Sequence, residues 1–234
     1  MTGRAVAVRL LLTAGLLAGS VGSGPAGADQ QQRDLDLIAS AQPTDLHPDQ
    51  HDFVFAESVV GAADVRADLV ATSSTTCHGC AGKSAGLQVL YLTRAERVQL
   101  DNVATAWTQD CWDCSATALS VQVVVLPGRP RSQPANRSFA VSDACATCRT
   151  AAAAFQVVVT LDQVTRLPQK TLAELRTWFA EQEAALRAAV SGPVLPRANR
   201  RAARAAGRAV TELRDLATAR PGSRVWSARA HVSR

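Results

Sequence analysis

Six cysteines stand in this chain as three pairs, Cys77-His-Gly-Cys80, Cys111-Trp-Asp-Cys114 and Cys145-Ala-Thr-Cys148, with 34 residues from each pair to the next. Sulfur in this pattern is open to three chemistries. Structural disulfides are the first, formed locally or between pairs, since six cysteines allow 15 connectivities in all. Thiol-disulfide exchange is the second, and an active Cys-x-x-Cys normally sits at a helix N-terminus whose dipole favours the thiolate. On this reading Cys77 is the better nucleophile, because His78 and Lys83 stand close to it in sequence, whereas Asp110 precedes the second pair and Asp113 lies within it, where both raise a thiol pKa. Zinc is the third, four thiolates on two knuckles being a tetrahedral donor set, although three pairs leave one over.

The elements that carry these pairs repeat with them. Gln88, Gln122 and Gln156 each follow a leading cysteine by the same interval and are each followed by valine; Asp68, Asn102 and Asn136 precede the cysteines by an equal interval. A helical repeat of this length needs two amphipathic helices per unit. Here the residues after each pair alternate instead: Leu119, Val121, Val123 and Val125 lie on one face, with Ala118, Ser120, Gln122 and Val124 on the other. That is the period of a strand, with one bulky apolar face and one face of small residues plus glutamine. The segments before the cysteines, 102–109 and 136–143, are extended too. Each unit therefore reads as strand, short turn holding Cys-x-x-Cys, strand, which predicts a β-hairpin. Phe53 to Val60 supplies a further strand or short helix.

Unit two, from Asn102-Val-Ala-Thr-Ala106 through Cys111-Trp-Asp-Cys114 to Val121-Gln-Val-Val-Val125, resembles the repeat of a secreted actinobacterial family whose members often carry the label peptide zinc metalloprotease protein. The resemblance spans roughly residues 53–161 and implies an exported Cys-x-x-Cys hairpin-repeat architecture. It brings no catalytic residue, and the chain has no His-Glu-x-x-His to support a protease.

The start of the chain reads as an export signal. Arg4 and Arg9 precede an apolar run from Leu10 to Ala18, and Ala26-Gly-Ala28 supplies the small residues of a cleavage site after Ala28. An oxidising destination favours disulfides over free thiolates or zinc, so Cys77, Cys80, Cys111, Cys114, Cys145 and Cys148 are assigned to local disulfides. The 25 Lys+Arg and 20 Asp+Glu are unevenly placed. Residues 29–76 hold nine acids against two arginines, and residues 195–234 hold ten arginines against two acids. An acidic front and a basic tail invite attraction within the chain or to an external polyanion.

The last third is helical. Thr171-Leu-Ala-Glu174 forms a capping-box pattern after Pro168, and Leu172, Leu175, Phe179 and Leu186 recur at helical spacing until Gly192. A second helix is expected over about 198–219, after the break 192–196. It bears a basic stripe, Arg197, Arg201, Arg204 and Arg208, and a separate flank of Ala202, Ala205, Ala209, Leu213 and Leu216. His47 and His51 beside Asp45, Asp49 and Asp52 make a weak cation site, which Pro48 disrupts; a solvated acidic loop is the preferred reading. No catalytic, metal or cofactor site is assigned, and no recognition module points to nucleic acid.

The expected fold is α+β: an antiparallel sheet of three Cys-x-x-Cys hairpins, followed by a helical hairpin. The expected organisation is a signal peptide over 1–28, an acidic segment over 29–62, the repeat domain over 63–163, the helical hairpin over 164–219 and a basic tail over 220–234. The function expected is a secreted or cell-envelope structural or interaction protein. Its partner would be an anionic envelope polymer or lipid surface met by the four arginines. An extracellular thiol-disulfide oxidoreductase is the alternative.

Overall fold

The computed structural model describes residues 35–192 and 198–234. The segment expected to be a signal peptide, the break after Gly192 and Arg197 lie outside the described residues. Eight strands form in sequence: β1 (Leu37–Ala41), β2 (Asp49–Val60), β3 (Asp64–Thr75), β4 (Ala81–Leu92), β5 (Arg97–Gln109), β6 (Ser115–Pro127), β7 (Arg131–Asp143) and β8 (Arg149–Leu161). Helices α1 (Gln169–Ser191) and α2 (Ala198–Ala217) follow, then β9 (Arg224–Ser233).

The strands exist where the alternation places them, but they do not pair as hairpins. β3, joined to β4 through Cys77–Cys80, hydrogen-bonds to β1 and β5; β4 hydrogen-bonds to β2 and β6. All these pairings are parallel, and only β8 with β9 is antiparallel. The chain therefore winds as a parallel β-solenoid of four coils, in which each strand-turn-strand unit is an arch whose two arms lie in different sheets. This overturns the expected antiparallel sheet of hairpins. Locally an arch and a hairpin use the same signal, and they differ only in whether the arms meet edge to edge or face to face.

The odd-numbered strands up to β7 make an outer sheet, β1-β3-β5-β7, and the even-numbered strands with β9 an inner sheet, β2-β4-β6-β8-β9. Along β5, exposed or half-buried residues alternate with buried ones, whereas β6 is buried at every position between its two ends. A parallel sheet covered on both faces has near-continuous apolar strands, and Val121-Gln-Val-Val-Val125 is such a run. The bulky residues Leu87, Val89, Tyr91, Leu119, Val121, Val123, Val125, Phe155 and Val157 turn away from the outer sheet, and Leu172, Leu175, Trp178, Phe179 and Leu213 of the helices cover them. Phe155 meets Trp178 edge to face at 5.4 Å, an arrangement worth about 1 kcal/mol beyond area burial. The expected capping box is not used. Helix α1 starts earlier, with Pro168 as N-cap and no side-chain cap, and Thr171 is buried. On α2 the buried residues are Ala206, Ala209, Leu213 and Ala217.

Between the sheets the interior is stratified along the strands. Near the cysteine arches it is alanine: Ala71, Ala104, Ala106, Ala116, Ala118, Ala152 and Ala154. At the other end it is larger and aliphatic: Val65, Leu90, Leu92, Val98, Leu100, Val124, Leu126 and Val158. A polar layer separates them. Gln156 Nε2 donates to Gln122 Oε1 at 2.8 Å, Gln122 Nε2 to Gln88 Oε1 at 2.8 Å, and Gln88 Nε2 to the Leu35 carbonyl. These are side chains of successive coils in register, and each bond satisfies a buried amide that would otherwise cost about 1–3 kcal/mol.

The second polar column is shorter than the sequence count suggests. Asn102 pairs in register with Asn136, and its Nδ2 donates to Asn136 Oδ1 at 2.7 Å. On the other side it faces Leu69, while Asp68 lies opposite Asp101 on the outer face. Equal intervals to the cysteines hid one extra residue in the later arches. Thr75 is opposite Thr108, yet Thr108 stands one residue further from its cysteine. Asp110 and Ala144 absorb that residue in left-handed backbone, at φ 53° and 46°. Across the interior the volumes compensate. Ser120 hydrogen-bonds Asn102, whereas beside Leu69 the matching residue is Gly86, where a Cβ would fall 2.8 Å from Leu69 Cδ1.

Candidate functional site

The arches are one end of the solenoid, and the cysteines hold them closed. Disulfides join Cys77 to Cys80, Cys111 to Cys114 and Cys145 to Cys148, with Cα–Cα distances of 5.5, 6.3 and 5.6 Å, all within the usual range. Each pair brackets a residue in left-handed backbone: Gly79, Asp113 and Thr147, at φ 69°, 53° and 63°. Asparagine, aspartate and glycine adopt that region more readily than β-branched residues, so Thr147 is the strained member. Its hydroxyl is held by the Asp113 carboxylate and accepts from the Asp113 N–H at 3.1 Å.

Successive arches stack. Gly79 N–H donates to the Trp112 carbonyl at 2.9 Å, and Asp113 N–H to the Ala146 carbonyl at 3.2 Å. The His78 ring lies on Trp112 with centroids 3.5 Å apart and planes at 6°, and its Nδ1 accepts from the Trp112 N–H. The third arch places Ala146 at this position. Sulfur stacks too: Cys111 Sγ is 3.4 Å from Cys145 Sγ, and Cys114 Sγ is 3.2 Å from Cys148 Sγ. Four sulfurs of the second and third pairs therefore share one cluster. They are bonded in two parallel disulfides, whose neutral sulfurs are poor zinc ligands compared with thiolates.

The features that made Cys77 the preferred nucleophile lie elsewhere. Lys83 Nζ meets Asp49 at 2.7 Å and His78 meets Trp112, while the carboxylate of Asp45 approaches the Cys77–Cys80 pair. Each pair is followed by a strand rather than a helix. Cys77, Cys80, Cys111 and Cys114 are buried, and Cys145 and Cys148 are half-buried. Asp45 was not tied to the cysteines by sequence, because it belongs to the first coil, whose arch has no cysteine. The other members of the His/Asp group are also spent separately: Asp52 accepts the Ser40 N–H at 2.6 Å, and His51 Nε2 reaches Glu183 at 3.2 Å.

Two surfaces remain outward. On the outer sheet the rows run across coils: Asp64, Arg97 and Arg131; Arg66, Gln99 and Gln133; Ser74, Trp107 and Val141. A groove of about 780 Å³ runs along the first two rows. On α2, Arg201, Arg204 and Arg208 are exposed, opposite the buried Ala206, Ala209 and Leu213. None of the three arginines joins an ion pair among the described residues. Ala205, expected on the apolar flank, is exposed.

One tyrosine ties the helical layer to the solenoid. Tyr91 is buried on the inner sheet, and its hydroxyl accepts the Leu167 N–H at 2.9 Å just before α1. Burial pushes this hydroxyl up to about 12; the Leu167 amide pulls the other way.

Comparison with protein-family models, with curated proteins and with solved structures found no match. The family resemblance of residues 53–161 rests on the sequence motifs alone. Among the described residues no helix is long and apolar enough to cross a membrane.

Proposed function

We propose that the protein is a structural and interaction protein of the cell envelope or extracellular space: a disulfide-clamped solenoid that presents a cationic helix to a phosphate-bearing polyanion. The observation that carries this reading is the unpaired row Arg201, Arg204 and Arg208 on a helix whose opposite side is anchored on the inner sheet through Leu213. An anchored helix holds its charges at fixed spacing. Near an anionic surface each contributes about 1 kcal/mol. The export signal and the three disulfides support an oxidising location.

Cosedimentation with vesicles containing phosphatidylglycerol tests it, with phosphatidylcholine vesicles as control and a soluble polyphosphate as competitor. Binding is expected to be selective for the anionic vesicles, to weaken with salt, and to fall about 100-fold in the triple variant Arg201→Gln, Arg204→Gln, Arg208→Gln. Competition by polyphosphate would identify an envelope polymer as the better ligand, and its absence a lipid surface. Equal binding to neutral vesicles, or no change in the variant, would overturn the reading.

Thiol-disulfide exchange draws on one observation, the incomplete burial of Cys145 and Cys148. Thiol titration after mild dithiol treatment separates the two readings. A scaffold keeps Cys77–Cys80 and Cys111–Cys114 oxidised, while an oxidoreductase releases a pair rapidly and passes the electrons to an added disulfide.

A further inference from the structure

A solenoid must end somewhere, and its last strands expose the hydrogen-bonding groups that the next coil would have met. The inner sheet ends at β2 on one side and β9 on the other, and each pairs with a single neighbour among the described residues. The outer sheet ends differently at β7. There the Ser138 N–H donates to His231 Nδ1 at 3.1 Å, Ser233 Oγ donates to the Ser138 carbonyl at 2.9 Å, and Arg229 Nη1 donates to the Pro134 carbonyl at 2.8 Å. Pro134 itself has no N–H to offer. Side chains of β9 thus close this edge, whereas nothing among the described residues closes the outer edges of β2 and β9.

The two open edges are opposite in charge. Residues 35–60 contain Asp36, Asp45, Asp49, Asp52 and Glu57 and no lysine or arginine; after Asp215 the chain contains Arg220, Arg224, Arg229 and Arg234 and no acid. Pairing β9 with another β9 would set arginines together, and pairing β2 with another β2 would set acids together. Only the crossed combination is complementary.

The register specifies what would meet. Ala56, Gln88, Gln122, Gln156 and Arg229 stand in one column across the inner sheet, and Asp52, Ser84, Ala118, Ala152 and Ser233 in another. Continuing these columns into a copy translated along the solenoid axis places Arg229 opposite Ala56 and Ser233 opposite Asp52, so that the basic strand lies along the acidic one. The strand directions also agree. β2 runs with β8, and β9 runs against β8, so β9 meets the next β2 as an antiparallel pair. Partly exposed apolar residues lie on both strands: Phe53 and Val59 on β2, and Val225 on β9.

We infer that this chain associates head to tail with a second copy of itself, β9 of one molecule pairing antiparallel with β2 of the next and continuing the inner sheet between them. The interface is heterologous, so it repeats without closing and yields linear chains. It stands independently of the polyanion reading, because the arginine row on α2 takes no part.

The test is sedimentation of the purified chain over a concentration series at low salt, with two charge-reversed variants: Arg229→Glu/Arg234→Glu, and Asp52→Lys/Glu57→Lys. The unsubstituted chain is expected to grow in mass continuously with concentration. Each variant alone places like charges at the junction and is expected to associate at least about tenfold more weakly. An equimolar mixture of the two restores complementarity at both junctions and is expected to regain association. Circular dichroism establishes that each variant is folded; if the Asp52 variant is not, adding the Arg229 variant to the unsubstituted chain is expected to shorten its chains by capping them. A chain that stays monomeric at its highest soluble concentration, a mass that stops at a dimer, or folded variants that associate as the original does would each overturn the inference.

Discussion

β5 and β6 belong to the same coil and have the same length, 13 residues each, yet they live in different surroundings. β5 presents one face to the interior and the other to solvent. β6 is pressed between the outer sheet and the helices and has no solvent face along its length. The outer strand therefore shows polar and apolar residues in alternation, while the inner strand is largely apolar and its deeply buried polar side chains find partners, Ser120 on Asn102 and Gln122 on its neighbouring glutamines. Burial on one face or on two determines what a given substitution costs, more than the residue's type does. A glutamine is a solvated surface group at position 99 and a member of a buried ladder at position 122.

The sharpest test substitutes the same residue type in the two sheets. Gln122→Leu removes the middle rung of the ladder, leaving Gln88 Oε1 without a partner and Gln156 Nε2 with the Ala135 carbonyl alone. With each buried group costing about 1–3 kcal/mol, chemical denaturation is expected to show a loss of about 3–5 kcal/mol. A loss below about 1 kcal/mol would mean that water or repacking replaces the ladder.

Removing one clamp comes next. Cys111→Ser with Cys114→Ser opens a four-residue loop, whose closure the chain-entropy model values at about 2 kcal/mol. The thermal midpoint reports this, and a much larger loss would show that the stacked sulfur column contributes packing as well.

Tyr91→Phe probes the join between inner sheet and helices. Losing the bond to the Leu167 N–H should cost about 1 kcal/mol at neutral pH. The original chain should also lose stability as pH rises from about 10 to about 12. In that window the unfolded tyrosine ionises while the folded one keeps its proton, so the unfolded state binds fewer protons. Unfolding measured across that range should be less pH-dependent in the Phe variant; equal slopes would remove Tyr91 as the cause.

Gln99→Leu on the outer sheet is the smallest effect. The side chain stands in an exposed row, and a change within about 0.5 kcal/mol is expected from the same denaturation experiment. An effect comparable to Gln122→Leu would erase the distinction between the sheets.

Much of this was legible in the chain. The alternation after each cysteine pair located β4, β6 and β8, and the division into a bulky face and a small face is the division between helical cover and solenoid interior. The glutamines marked a shared polar layer, and the cysteines pair locally as assigned. The first coil was harder to see, since its arch carries no cysteine and β1 has only five residues. Counting from the cysteines misplaced Asp68, because the extra residue in the later arches is visible only when strands are paired. His78 on Trp112 and Asp45 beside Cys77 escaped because both depend on stacking distant segments.

The sequence by itself determined the period, the strands on either side of the cysteine pairs, the turns that the cysteines clamp, the helices and the opposite charge of the two ends, because each is written in local pattern or composition; β9 lay in what read as a basic tail. Only the tertiary structure decided which strands are partners. A strand-turn-strand unit carries hydrogen-bonding groups on its edges that can be satisfied by its own other arm or by the neighbouring unit, and local sequence is nearly neutral between them. The choice falls to the neighbours here because parallel stacking aligns like with like. Glutamine then meets glutamine, alanine layers close against each other, and the central inner strands β4, β6 and β8 are buried on both faces at once.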